Sequence, residues 1–298
     1  MADLEGLKKV KDFHTDVPFG KKSCFHVKGA EDLGWGMKSR LSSIFNPVSG
    51  NTVMFAFDHG YFMGSVSGLE RLDLMIPRVA PYVDVLMCTR GALRTCVDPA
   101  LNKPIALRTS SGSSMLDEDL SHEVLAVDME EAVRLNVSCV AVQTFIGADG
   151  ERDSLENLSR AVNAGMKYGV PTMGVVAVGR QRERTPRFFK LATRIVAELG
   201  AQLVKTYDCL ELEEVVAACP VPIVIAGGKK MQEDEALKMA YSVMQRGARG
   251  VDMGRNIFQS ECPEAMAMAV SQIVHNGMTD TDAYDLYREE KERREKNR

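Results

Sequence analysis

Leu199-Gly200-Ala201-Gln202-Leu203-Val204-Lys205-Thr206-Tyr207-Asp208 is the stretch on which the fold turns. Upstream of it Phe188, Leu191, Ala192, Ile195, Val196 and Leu199 recur at helical spacing and stop at Gly200. Glycine suits the left-handed residue that ends a helix. A short apolar run, Gln202–Thr206, follows at once, which predicts a helix feeding directly into a strand. The run is continuous rather than alternating, as in a parallel strand covered on both faces. It nevertheless carries Lys205. A lysine in such a strand is out of place unless its amine has a chemical task or its head escapes to a carboxylate such as Asp208.

The same unit repeats on either side. Further apolar runs lie at Val53–Phe57, Asp84–Cys88, Pro104–Leu107, Cys139–Val142, Pro171–Val176, Pro222–Ala226 and Gly250–Met253, with helical patterns between them. Helix-ending glycines precede strands again at Gly169-Val170 and Gly247-Ala248. This alternation predicts an α/β fold, a (β/α)8 TIM barrel over residues 51–278. An open doubly wound sheet is the alternative, but no GxGxxG follows the first strand and the glycine-rich turns fall after the last two. Residues 1–50 read as an irregular N-terminal arm with one helical piece around Met37–Phe45. Residues 279–298 read as a charged C-terminal helix, a solvated tail before an oligomer contact.

Composition narrows the function. The chain has 298 residues, 45% hydrophobic and 26% charged, with a formal net charge of −4. That balance gives no basic footprint for nucleic acid. No apolar run approaches the roughly 18 residues of a membrane span, and the polar opening Met1–Lys9 predicts no secretory leader. Seven scattered cysteines without a CxxC pair predict reduced thiols in a cytoplasmic protein. The histidines show no i,i+4 pair and no partner cysteines, so no metal site is expected.

In a barrel the chemistry sits at the strand C-termini. There the sequence places Asp58-His59-Gly60, Arg90-Gly91, Arg108 with a Ser/Thr/Gly loop, Gln143-Thr144-Phe145, and Lys205 with Tyr207 and Asp208. The last two strands end in Gly227-Gly228-Lys229-Lys230 and Gly254-Arg255-Asn256. Glycine turns let consecutive backbone N–H groups cradle an anion, and Arg255 adds a bidentate donor, so these two turns predict a phosphate site. Burial is expected to lower the pKa of Lys205 and make its amine nucleophilic toward a carbonyl. Asp58 and His59 are the candidate acid/base pair. Arg90 and Arg108 either assist a second anion or pair with acids at the barrel mouth.

On these residues the chain resembles the class I aldolases of the DeoC/FbaB type. The resemblance runs nearly end to end, through Leu33–Leu41, Phe55–Phe62, Asp84–Gly91, Lys205-Thr206-Tyr207, Pro222–Lys230 and Gly250–Ser260. It implies that Lys205 is the Schiff-base lysine and that Gly227, Gly228, Gly254 and Arg255 hold phosphate. Within the family the likeness is to acyltransferases of autoinducer-2 breakdown. It therefore implies transfer of an acetyl group from a phosphorylated hydroxypentanedione to coenzyme A, a co-substrate and not a resident cofactor, giving acetyl-CoA and glycerone phosphate. Ring-stacked homodecamers in the cytoplasm are implied as well. No nucleotide motif marks a coenzyme A site, so the thiol would enter from the barrel mouth or a subunit interface. The family's proton-transfer tyrosine is met here by Phe145, which carries no proton. The alternative is a metal-independent aldolase acting on a phosphorylated ketose. A third reading is a sugar-phosphate binding protein without turnover.

Overall fold

The computed structural model describes residues 25–178 and 183–296. Strands β1 (Thr52–Ala56), β2 (Val85–Thr89), β3 (Ile105–Arg108), β4 (Cys139–Thr144), β5 (Thr172–Val176), β6 (Leu203–Thr206), β7 (Ile223–Ala226) and β8 (Gly250–Met253) are parallel and pair in sequence order. β8 returns to β1 with Thr52 opposite Gly250 and Met54 opposite Asp252, which closes the barrel. The protein is a (β/α)8 barrel, and its eight strands coincide with the eight apolar runs to within a residue or two.

Side chains on a strand alternate between faces. Met54, Ala56, Met87, Ala141, Met173 and Val224 face inward and form one buried cluster. Their neighbours Val53, Phe55, Leu86, Val140, Val204 and Ile225 face outward and pack beneath the helices in a second cluster. Both faces are thus apolar, which is why the sequence shows no polar/apolar alternation. Lys205 shares the inward parity of Leu203, so its amine is delivered to the barrel axis rather than to solvent.

The helix Trp35–Ile44 lies under the barrel. Met37, Leu41 and Ile44 join the inner cluster, and Arg40 donates to the carbonyls of Val137 and Gly169 in the loops leading into β4 and β5. The described part of the arm therefore plugs the N-terminal mouth and leaves the opposite mouth open. The helix Asp280–Lys296 packs against the helices Glu233–Gln245 and Pro263–Asn276, burying Ala283 and Tyr287. The expectation of a solvated tail is corrected: two residues spaced i,i+4 suffice to dock an otherwise charged helix. Ser110–Ser111 and Val124–Leu125 form a two-stranded ribbon after β3, not foreseen because each strand is only two residues long. Among the described residues no helix is long and apolar enough to cross a membrane.

Candidate active site

A cavity of about 1110 Å³ opens where the strands end, and the candidates Asp58, His59, Lys205, Gly227, Gly228, Gly254 and Arg255 all line it. Lys205 is 9% exposed. Its Nζ lies 2.8 Å from Asp252 Oδ2 and 3.3 Å from Met87 Sδ. Asp208 is not its partner, because that carboxylate pairs with Arg246 at 2.7 Å. Nor is its pKa lowered as expected. Burial pulls it down, but Asp252, then Asp58, outweigh burial and leave it raised. Lys205 rests as an ammonium ion.

Asp252 is a functional candidate that sequence reasoning missed. It is 1% exposed, faces the cavity from β8, and its Oδ1 has no hydrogen-bond partner. Burial raises its carboxyl, and Lys205 opposes the rise. The signal was present in the sequence: an aspartate inside the apolar run Gly250–Met253 is as anomalous as a lysine inside Leu203–Thr206.

The two turns after β7 and β8 are built as one unit. Asn256, fully buried, donates to the carbonyls of Gly227 (2.7 Å) and Lys229 (3.1 Å) and accepts from the Met231 N–H (2.8 Å). Gly228 holds φ at +73°, a left-handed value that favours glycine. At Gly254 a Cβ would meet His59 Cε1 at 2.6 Å and the Ala56 carbonyl at 2.7 Å, so only glycine lets β8 pass beside the histidine. Arg255 follows at the start of the helix Arg255–Phe258, with its Nε buried and unpartnered. The geometry presents glycine backbone and a guanidinium to the same cavity wall, an arrangement suited to a phosphate.

Asp58 and His59 follow β1, directly beside the turn after β8, but not as an ion pair that charges the histidine. His59 Nδ1 lies 4.0 Å from Asp58 Oδ1. Burial lowers the His59 pKa; Asp58 opposes that, while Lys205, Arg255 and Arg108 reinforce it. His59 is therefore a neutral imidazole at pH 7, and its ring packs edge-on against Phe258 with centroids 5.4 Å apart. Asp58 is instead engaged by Arg108, whose Nη1 lies 3.5 Å from Asp58 Oδ2.

Arg108 anchors a buried network that the sequence did not reveal. It donates to Glu123 Oε1 at 2.9 Å, to Gln143 and to Tyr61, and its guanidinium lies 4.4 Å from the Tyr61 ring centroid. Tyr61 in turn donates to Glu123 at 2.8 Å. Glu123 arrives from the ribbon after β3, far from any strand end. Arg90 points elsewhere, pairing with Glu131 at 2.9 Å on the outer surface. Both arginines thus pair with acids, one in the cavity wall and one outside it. Among the described residues no cysteine lines the cavity, and burial raises the thiols of Cys88 and Cys139 well above their ordinary range. Among the described residues no group of three His, Cys, Asp or Glu side chains is placed to hold a metal ion.

A parallel barrel that opens its strand C-termini on a cavity lined by a buried lysine, several carboxylates and the glycine turns that lead to Arg255 defines an enzyme. The chain belongs to the DeoC/LacD family of aldolases, whose model matches residues 52–260. It is 54% identical over 293 residues to the 3-hydroxy-5-phosphonooxypentane-2,4-dione thiolase of Photorhabdus laumondii, covering 98% of this chain and 100% of that protein. The same identity and coverage relate it to the thiolase of that name from Escherichia coli K12. Among solved structures it is similar to an archaeal fructose 1,6-bisphosphate aldolase, with a TM-score of 0.73, 27% identity and coverage of 81% of this chain and 100% of that one. A second archaeal aldolase structure, with its catalytic lysine covalently bound to the carbinolamine intermediate of the substrate, matches at a TM-score of 0.73 and 25% identity, covering 80% of this chain and 99% of that one.

Proposed function

We propose that this enzyme is a 3-hydroxy-5-phosphonooxypentane-2,4-dione thiolase that transfers the substrate's acetyl group to coenzyme A through a Schiff base on Lys205. The observation that carries the reading is the Lys205 amine, buried in the same cavity as the Gly227-Gly228 and Gly254-Arg255 turns. The names of relatives 54% identical over nearly the whole chain support the reaction type.

The chemistry follows from the substrate. The two turns seat the phosphate, which sets the neighbouring carbonyl against Lys205. The amine attacks that carbonyl, water leaves, and a cationic iminium results. The thiol of coenzyme A adds to the other, terminal acetyl carbonyl. The bond between the acetyl carbon and the hydroxyl-bearing carbon then breaks. Its electron pair flows into the iminium and gives an enamine, while the acetyl group leaves on sulfur. Protonation of the enamine carbon and hydrolysis release glycerone phosphate and free Lys205. Phe145 occupies the cavity wall where the resemblance leads one to expect a tyrosine, which favours acyl transfer over aldol cleavage of a phosphorylated ketose. The buried, high-pKa cysteines favour lysine over a thiol nucleophile. The open mouth gives coenzyme A its approach. A cytoplasmic homodecamer active in autoinducer-2 breakdown and quorum sensing completes the proposal, and the native mass of the purified enzyme checks its assembly.

The assay is consumption of the phosphorylated dione with and without coenzyme A. Wild type consumes it only with coenzyme A and yields one acetyl-CoA per glycerone phosphate; Lys205→Ala does neither. Consumption at equal rates without the thiol sinks the thiolase reading.

A further inference from the structure

Lys205 rests protonated, yet an ammonium ion cannot attack a carbonyl, and dehydration of a carbinolamine needs an acid. The reading of Lys205 as the reactive amine therefore demands a proton carrier at its nitrogen. We propose that Asp252 is that catalytic residue, taking the proton from the Lys205 ammonium and delivering it to the hydroxyl that leaves the carbinolamine as water. The inference rests on the Schiff-base reading of Lys205 given above.

Geometry selects Asp252. Its Oδ2 is 2.8 Å from Lys205 Nζ, its Oδ1 is buried and unpartnered, and the residue lines the same cavity. One oxygen thus meets the amine and the other is free for a substrate oxygen. The rival groups are otherwise engaged. Asp58 is held by Arg108, Phe145 has no exchangeable proton, and the Tyr207 ring lies beneath the Arg184 guanidinium at 4.1 Å. His59 packs its ring on Phe258 and on the glycine backbone of the phosphate turn.

The steps balance. The ammonium gives one proton to Oδ2, leaving a neutral amine and a carboxylic acid. The amine attacks, a C–N bond forms, and the carbonyl π pair moves to oxygen. The acid protonates that oxygen and regains a proton from the now cationic nitrogen, giving the neutral carbinolamine. The acid then protonates the hydroxyl, the C–O bond breaks, water departs, and the nitrogen lone pair closes the iminium. Asp252 ends as a carboxylate beside a cation, as it began. No oxidant or outside base is needed.

The test uses the intact enzyme with glycerone phosphate and borohydride and no coenzyme A, so it reads Schiff-base formation and not acyl transfer. The initial rate of adduct formation is followed by intact-protein mass. Asp252→Asn keeps the shape and loses the carboxylate; its adduct rate is expected to fall about 100-fold or more, the range of general acid–base catalysis, with glycerone phosphate affinity retained. Asp252→Ala is expected to regain adduct formation as formate is added. A residue serving only as a counterion predicts the reverse, because its removal frees the amine. An Asp252→Asn rate equal to or above wild type overturns the proposal. Should that variant fail to fold, absence of any formate response in Asp252→Ala overturns it. A wild type that forms no adduct sinks the Lys205 reading and this inference together. Asp252-dependent trapping beside a dione turnover that ignores coenzyme A supports the inference and sinks the thiolase reading alone.

Discussion

Lys205 and Asp252 are each a charged residue set inside a buried strand, and the barrel's shear brings them to one height on the axis although they sit on β6 and β8. Lys205 was legible in the sequence because its run is strongly apolar and precedes a polar strand end. Asp252 was less legible, although the same rule applies to it, because the glycine turn that follows it carries the stronger signal. Asp252 helps reverse the sign of the lysine's pKa shift: burial favours a free amine, and the carboxylate at 2.8 Å together with Asp58 outweighs it in favour of the ammonium. No residue-by-residue reading foresees that, since it depends on a partner 47 positions away. At Gly254 the constraint is steric. Gly254→Ala places a methyl group 2.6 Å from His59 and 2.7 Å from a backbone carbonyl. It is expected to cost about 2 kcal/mol, as overpacking does, and to weaken binding of glycerone phosphate. Thermal melting and a binding titration check both; an unchanged affinity would detach Gly254 from the phosphate site.

Among the elements, the strands were the easiest to read and the connections the hardest. Gly200, Gly247 and Gly169 punctuate helices, and both-faces burial gives strands an unbroken apolar signature. The ribbon that delivers Glu123 to Arg108 has no such signature, so the network around Tyr61 stayed invisible. The turns after β7 and β8 were legible as glycine, but not the fact that one side chain joins them. Asn256 ties both turns with three hydrogen bonds. Asn256→Ala leaves those backbone groups unpaired in a buried site, at a cost of about 1–3 kcal/mol. Because the damage falls on the proposed anion cradle and not on Lys205, KM for the phosphorylated substrate is expected to rise more than kcat falls. Steady-state kinetics on the variant decides it, and a loss confined to kcat would argue against the cradle.

At the scale of the whole molecule, two concentric apolar layers meet at the strands, with the inner one sealed below by the helix Trp35–Ile44 and left polar above. The layering was legible; the plug and the docked C-terminal helix were not, because both depend on packing partners distant in sequence. Closure of the outer ring across the β8–β1 seam is assisted by Arg78, which forks onto Glu264 at 2.7 and 2.9 Å and joins the helices Leu72–Val79 and Pro263–Asn276. Burial alone would raise the Glu264 carboxyl, but the bond from Arg78 and a backbone N–H outweigh it and hold it below 4.5. A carboxylate depressed on folding contributes stability above its ordinary pKa and loses it as pH falls through the lower folded value. Arg78 is partly exposed, so the contribution is about 1 kcal/mol. Glu264→Gln is expected to lower the melting temperature at pH 7 and to converge with wild type as pH falls from 4.5 through the lower folded value; parallel curves across that range would assign the carboxylate's charge no role. The account as a whole stands on the amine at the barrel axis. Borohydride reduction with glycerone phosphate, followed by digestion and peptide mass mapping, tests it most directly. The reduced adduct is predicted on Lys205 alone and is absent from Lys205→Ala; a fully active wild-type enzyme that yields no adduct, or one on another residue, contradicts the account.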